Sequence, residues 1–88
     1  MTEGFEVMEI VELKNDGRVV DAEVVVFDND VQKVLTVVVR YRRDTHSVFA
    51  VGGAYDQKLN LFVEKNGQLL GDMRELAMAH KDMLGALN

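Results

Sequence analysis

The chain has 88 residues, no Cys, no Pro, 48% hydrophobic residues and a net charge of -5. This composition excludes disulfides and thiolate metal sites, is too apolar for a disordered chain, and contains no run near the ~20 apolar residues of a membrane-spanning helix. A single domain of this length buries only about 60–65% of its unfolded surface, so its core is marginal unless something outside the chain adds to it. The segment Met1-Thr2-Glu3-Gly4 is acidic where a signal peptide would be basic and then apolar. The expected location is therefore the cytoplasm.

The first predicted strand covers Phe5 to Leu13, where Phe5, Val7, Val11 and Leu13 alternate with Glu6, Met8, Ile10 and Glu12. Asn15-Asp16-Gly17 closes it with the chemistry of a tight turn, and Val19 to Phe27 returns antiparallel. Asp28-Asn29-Asp30 forms the second turn. The third strand, Val31 to Arg43, contains Val34-Leu35-Thr36-Val37-Val38-Val39, which carries apolar or β-branched side chains on both faces. Such a strand calls for cover on both sides. Asp44-Thr45-His46-Ser47 turns into a short fourth strand, Val48 to Val51, stopped by Gly52-Gly53.

Beyond this point Leu59, Leu61 and Val63 alternate with Asn60, Phe62 and Glu64, and Asn66-Gly67 is a hairpin dipeptide, so the pattern favours a fifth strand over a short helix at 57–65. Asp72 and Glu75 resemble a capping box, followed by the stripe Met73, Leu76, Ala77, His80, Leu84 and Leu87. The expectation is one α+β domain over 1–88: an antiparallel four- to five-stranded β-meander at 4–64, with one C-terminal amphipathic helix at 72–87 packed on one face. Four or five strands at ~4.8 Å spacing make a sheet about 19–24 Å wide, whereas a helix is only about 10 Å across. Apolar surface is left over, and a homodimer would cover it.

Charge is unevenly distributed. Residues 1–30 hold nine acids against Lys14 and Arg18, and residues 31–58 hold Lys33, Arg40, Arg42, Arg43 and Lys58 against Asp44 and Asp56. Either the two halves pair within the sheet, with Asp21 beside Arg40, or they present acidic and basic surfaces to a partner.

Little in the sequence points to catalysis. His46 lies near Asp44 and Ser47, but these residues favour turns for backbone reasons. His80 falls on the apolar stripe of the helix. Asp28-Asn29-Asp30 lacks the ligand spacing of a calcium loop, and Gly52-Gly53 lacks a phosphate-loop frame. The chain is therefore read as a non-enzyme with no cofactor and no metal. The cluster Arg40-Tyr41-Arg42-Arg43 is the candidate partner-binding site, since arginine and tyrosine are enriched in interface hot spots.

The resulting expectation is a small acidic protein-protein interaction or assembly module, of the accessory or inhibitor kind, that docks on a larger protein partner. Two alternatives compete with it. One is nucleic-acid binding through Arg40, Arg42 and Arg43, which an isoelectric point near 4.8 disfavours. The other is a small-ligand pocket or active site between helix and sheet, lined by Tyr55, His80 and methionines.

Overall fold

The computed structural model describes residues 4–54 and 56–87, with side chains through His80. Four strands, β1 (Phe5–Asn15), β2 (Val19–Asp28), β3 (Lys33–Arg42) and β4 (Ser47–Gly53), precede two helices, α1 (Gln57–Lys65) and α2 (Gly67–Leu87). The strands form an antiparallel meander in the order β1-β2-β3-β4. The α+β class and the antiparallel sheet agree with the sequence pattern.

The first turn shows how local chemistry fixes the hairpin. Oδ1 of Asp16 accepts the backbone N–H groups of Arg18 and Val19, both at 2.8 Å, and Gly17 adopts a φ of +86°. These hydrogen bonds favour the charged carboxylate and hold the Asp16 pKa below the ordinary value. Asn15 ties the same turn to the helical layer, because its Nδ2 donates to the carbonyl of Leu76 at 2.8 Å.

Both helices lie on one face of the sheet. On β2 the even residues Val20, Ala22, Val24 and Val26 are fully buried, and on β3 the odd residues Val37, Val39 and Tyr41 are buried with them. The helices meet this layer with Leu59 and Val63 from α1, and with Leu69, Met73 and Ala77 from α2. Leu59 and Val63 are four residues apart, as are Leu69, Met73 and Ala77 along α2, so each set forms one helical stripe. Asn60 anchors α1 to the edge strand by accepting the Ala50 N–H at 3.2 Å.

Two expectations are corrected. Residues 59–64 are not a fifth strand but the body of α1. A short alternating run also contains an i, i+4 pair, and here Leu59 and Val63 are buried while Leu61 is 51% exposed. Asp56 decides between the two periods: its side chain accepts the N–H groups of Lys58 and Leu59, an N-cap that satisfies the first turn of a helix. The sheet therefore has four strands, and the helical layer has two helices instead of one.

The second correction concerns the start of α2, at Gly67 instead of Asp72. Asn66-Gly67 is not a hairpin. Asn66 closes α1, and its Oδ1 accepts the N–H of Leu69 at 3.1 Å, as an N-cap does for the next helix. Asp72 lies inside α2, where it accepts from Gln68 Nε2 at 3.3 Å. The expected stripe holds at Met73 and Ala77, with Leu76 and His80 partly buried; Leu84 and Leu87 lie outside the described side chains.

Gly53 ends β4 at a position no other residue fits well. Its φ is +77°, and a Cβ there would stand 2.6 Å from the carbonyl oxygen of Thr36, which also accepts the Ala54 N–H at 2.9 Å. Gly53→Ala combines left-handed strain of about 1–3 kcal/mol with a forced shift of the β3 backbone. Chemical denaturation is expected to show a loss of at least about 2 kcal/mol, whereas Gly67→Ala, where a Cβ meets nothing within 4 Å, should be neutral or stabilising.

Candidate functional site: the open sheet face and its arginine-rich end

Among the described residues, the face of the sheet turned away from the helices has no covering layer. The pairing register places its residues in rows across the strands: Lys14, Asp21, Arg40 and Phe49; then Val11, Glu23, Val38 and Gly52; then Glu9, Val25 and Thr36; then Glu6, Phe27 and Val34. Val34 is 60% exposed and Val11 39%. Val25, Phe27, Val38 and Phe49 are half-buried by their neighbours in the sheet. The face is a band of valine and phenylalanine crossed by charges, and β3 is the doubly apolar strand whose second face stays uncovered.

Its charge divides by strand. On this face β1 and β2 carry Glu6, Glu9, Asp21 and Glu23 against Lys14, whereas β3 carries Arg40 and Arg42 and the described part of β4 carries no charge. The acidic first third of the sequence becomes one half of the face, and the basic middle becomes the other.

One ion pair bridges the halves. Nε and Nη2 of Arg40 donate to the two carboxylate oxygens of Asp21 at 2.8 and 3.1 Å, across directly opposed positions of β2 and β3. The Arg40 hydrogen bonds hold the Asp21 pKa below the ordinary carboxylate value. The pair expected from the sequence is therefore formed.

The expected site Arg40-Tyr41-Arg42-Arg43 is split by the pleat. Arg40 and Arg42 belong to the open face, and Arg42 is paired with Asp44 at 3.0 Å. Tyr41 points the other way and is 1% exposed, packed in the core. It cannot stack on a base or anchor a partner from the surface. Arg43 follows β3 in the turn, its N–H bonded to the carbonyl of Arg18 at 2.9 Å.

Arg18 and Arg43 meet Arg42, Val19 and Asp44 around a shallow pocket of about 540 Å³ at the end of the sheet. Arg18 joins Arg43 because the β2–β3 pairing brings the first and third turns to the same end, a proximity that sequence separation conceals. Arg43 also borders a smaller pocket of about 270 Å³ with Tyr41, His46, Arg74, Ala77 and Met78.

The two histidines lie on different elements. His46 has a φ of +52° in the third turn, and its Nδ1 lies 3.5 Å from the Tyr41 hydroxyl. His80 is half-buried on α2 beside Gly17, far from His46 in the sequence and on another element. Among the described residues no three His, Asp or Glu side chains gather as metal ligands. Tyr55, the expected pocket residue, lies outside the described residues. A groove of about 680 Å³ is instead lined by Phe5, Leu61, Phe62, Lys58, Lys65 and Asp30 at the far end of the molecule, where Phe5 and Phe62 pack with centroids 5.4 Å apart. A strand over 59–64 hides this groove, because only the helix brings Leu61, Phe62 and Lys65 to one place.

Among the described residues no helix is long and apolar enough to cross a membrane. The chain matches no protein-family model, no curated protein and no solved structure.

The Asp21 pair has a testable pH signature. Its folded-state pKa is lowered, so its stabilisation is present above the ordinary carboxylate pKa of 3.8 and is lost as pH falls through the lowered folded value. Asp21→Asn is expected to lower the melting temperature at pH 7 and to converge with the wild type in strong acid. Parallel thermal melts from pH 7 to pH 2 measure the convergence.

Proposed function

We propose that this protein is a non-catalytic assembly module that acts by presenting the open face of its sheet to a protein partner. The observation that carries this reading is the second face of β2 and β3, where Val25, Phe27, Val34 and Val38 have no covering layer while both helices occupy the opposite side. Apolar surface of this extent, rimmed by charge, is the usual mark of a protein interface.

The arginines serve this face as rim groups. Arg40 and Arg42 already have carboxylate partners in their own chain, and Tyr41 is withdrawn into the core. That combination suits a protein surface better than a polyanion, which needs unpaired cations and exposed aromatic rings. Net charge of -5 adds long-range repulsion against nucleic acid.

The test uses Val25→Lys with Val38→Lys. Both residues lie outside the buried layer, so the melting midpoint should move only slightly. Tagged protein in extracts of its source cells is expected to sediment as a complex larger than the 9.9-kDa chain, and the double variant as the free chain. A wild-type protein sedimenting as a free monomer would overturn the interaction reading.

A further inference from the structure

We infer that the occupant of the open face is a second copy of this chain, related by a two-fold axis that runs parallel to the strands between β2 and β3. The inference rests on the interaction reading above and names its partner. Four observations on the face lead to this one geometry.

The first is the division of charge by strand. A two-fold axis parallel to the strands lays β1 and β2 of one copy over β4 and β3 of the other, so Asp21 of each acidic half meets Arg40 of the other copy's basic half, while Glu6 and Glu9 lie past the paired residues of β4. Isologous contacts require a self-complementary patch, and this face is one.

The second is the register. Asp21 opposes Arg40 within the chain, Val25 opposes Thr36, and Phe27 opposes Val34. Rotation about an axis midway between β2 and β3 superposes each residue on its own cross-strand neighbour from the other copy. Asp21 then faces Arg40 of the partner subunit, and Phe27 faces Val34 of the partner subunit. Asp21 thus meets an opposite charge and Phe27 an apolar side chain, whereas Glu23 faces Val38 of the partner subunit. Strand directions of the two sheets stay aligned, as in a β-sandwich.

The third is unused donor capacity. Arg40 engages Asp21 with Nε and Nη2 alone. A guanidinium carries five N–H donors, so the Nη1 edge is left to bridge the partner's Asp21 and close a ring of two aspartates and two arginines across the axis.

The fourth is area. Four strands about 4.8 Å apart, paired over about eight residues at ~3.3 Å each, present a footprint of about 19 by 26 Å. Two such faces together bury about 1,000 Å², the lower limit for a specific interface. The pair is thus a reversible dimer, not an obligate one. Its interface also completes the cover that β3, apolar on both faces, lacks within a single chain.

The decisive experiment reverses the ion pair. Asp21→Arg combined with Arg40→Asp preserves the pair within each chain and, by symmetry, the pair across the axis of its own dimer. Wild type and the reversed variant should each form homodimers, seen by light scattering on the purified chain at hundreds of micromolar. In a mixture, Asp21 would face an aspartate and Arg40 an arginine. Native mass spectrometry of the mixed, mass-labelled chains should then show heterodimer suppressed by about tenfold below its statistical share.

Two results would overturn the inference: a purified wild-type chain that stays monomeric at those concentrations, or a dimer whose two forms mix statistically. Should the reversed variant fail to fold, Val34→Glu supplies the same decision. Val34 is 60% exposed on the open face and would face Phe27 of the partner subunit beside the partner's Glu6, so a Val34→Glu protein that remains dimeric also excludes this interface. If self-association fails while the chain still sediments as a large complex in extracts, the second copy is wrong and the interaction reading stands. If both fail, the open face binds no protein.

Discussion

The structure depends on one asymmetry: two helices cover one face of the sheet, and none of the described residues covers the other. The covered side is a continuous layer in which Val20, Ala22, Val24 and Val26 of β2 and Val37, Val39 and Tyr41 of β3 meet Leu59, Val63, Leu69, Met73 and Ala77. Every other element serves that contact. Asp56 and Asn66 set where the helices start, Asn60 and Asn15 hold them to β4 and to the first turn, and Gly53 lets the chain leave β4 beside the Thr36 carbonyl.

The same layer determines what the molecule can offer to others. Because side chains alternate along a strand, committing Val37, Val39 and Tyr41 to the core sends Val34, Val38, Arg40 and Arg42 outward together. The aromatic member of the arginine cluster is consumed by the fold, and the arginines are left on a largely aliphatic surface. Asp21 and Arg40 then join the acidic and basic halves of that surface. Such a mixed face, aliphatic with opposite charges on its two halves, is what the proposed protein contact rests on.

Edges are treated differently from faces. Strand β1 is exposed along one side, yet its pairing with β2 is interrupted by register shifts between Val7 and Glu9 and between Glu12 and Leu13-Lys14. Bulges of this type break the regular row of donors and acceptors that another strand would need. Strand β4 is likewise irregular near Val51, and its far end leads into α1. The regular exposed surface of the sheet is therefore its open face.

The sequence by itself determined the meander: its turn residues and the long apolar strand are written locally, in the spacing of Asp, Asn and Gly between β-branched runs, whereas the pairing of Asp21 with Arg40 was one of two readings until the β2–β3 register chose it. It also carried the surplus of apolar surface, since Val34 to Val39 alternates nothing and needs two covers. Tertiary structure alone decided which parity of β2 and β3 goes under the helices, because both parities are rich in valine and a one-residue change of face costs little in local propensity. It likewise decided the fate of 59–64, where Leu59, Leu61 and Val63 satisfy a strand and a helix equally until the Asp56 cap and the packing of Leu59 and Val63 choose the helix. The arginine cluster was half legible for the same reason. The arginines were visible as a run, but the pleat sends Tyr41 inward, and the pairing of distant turns brings Arg18 to Arg43 through hydrogen bonds that no local pattern contains.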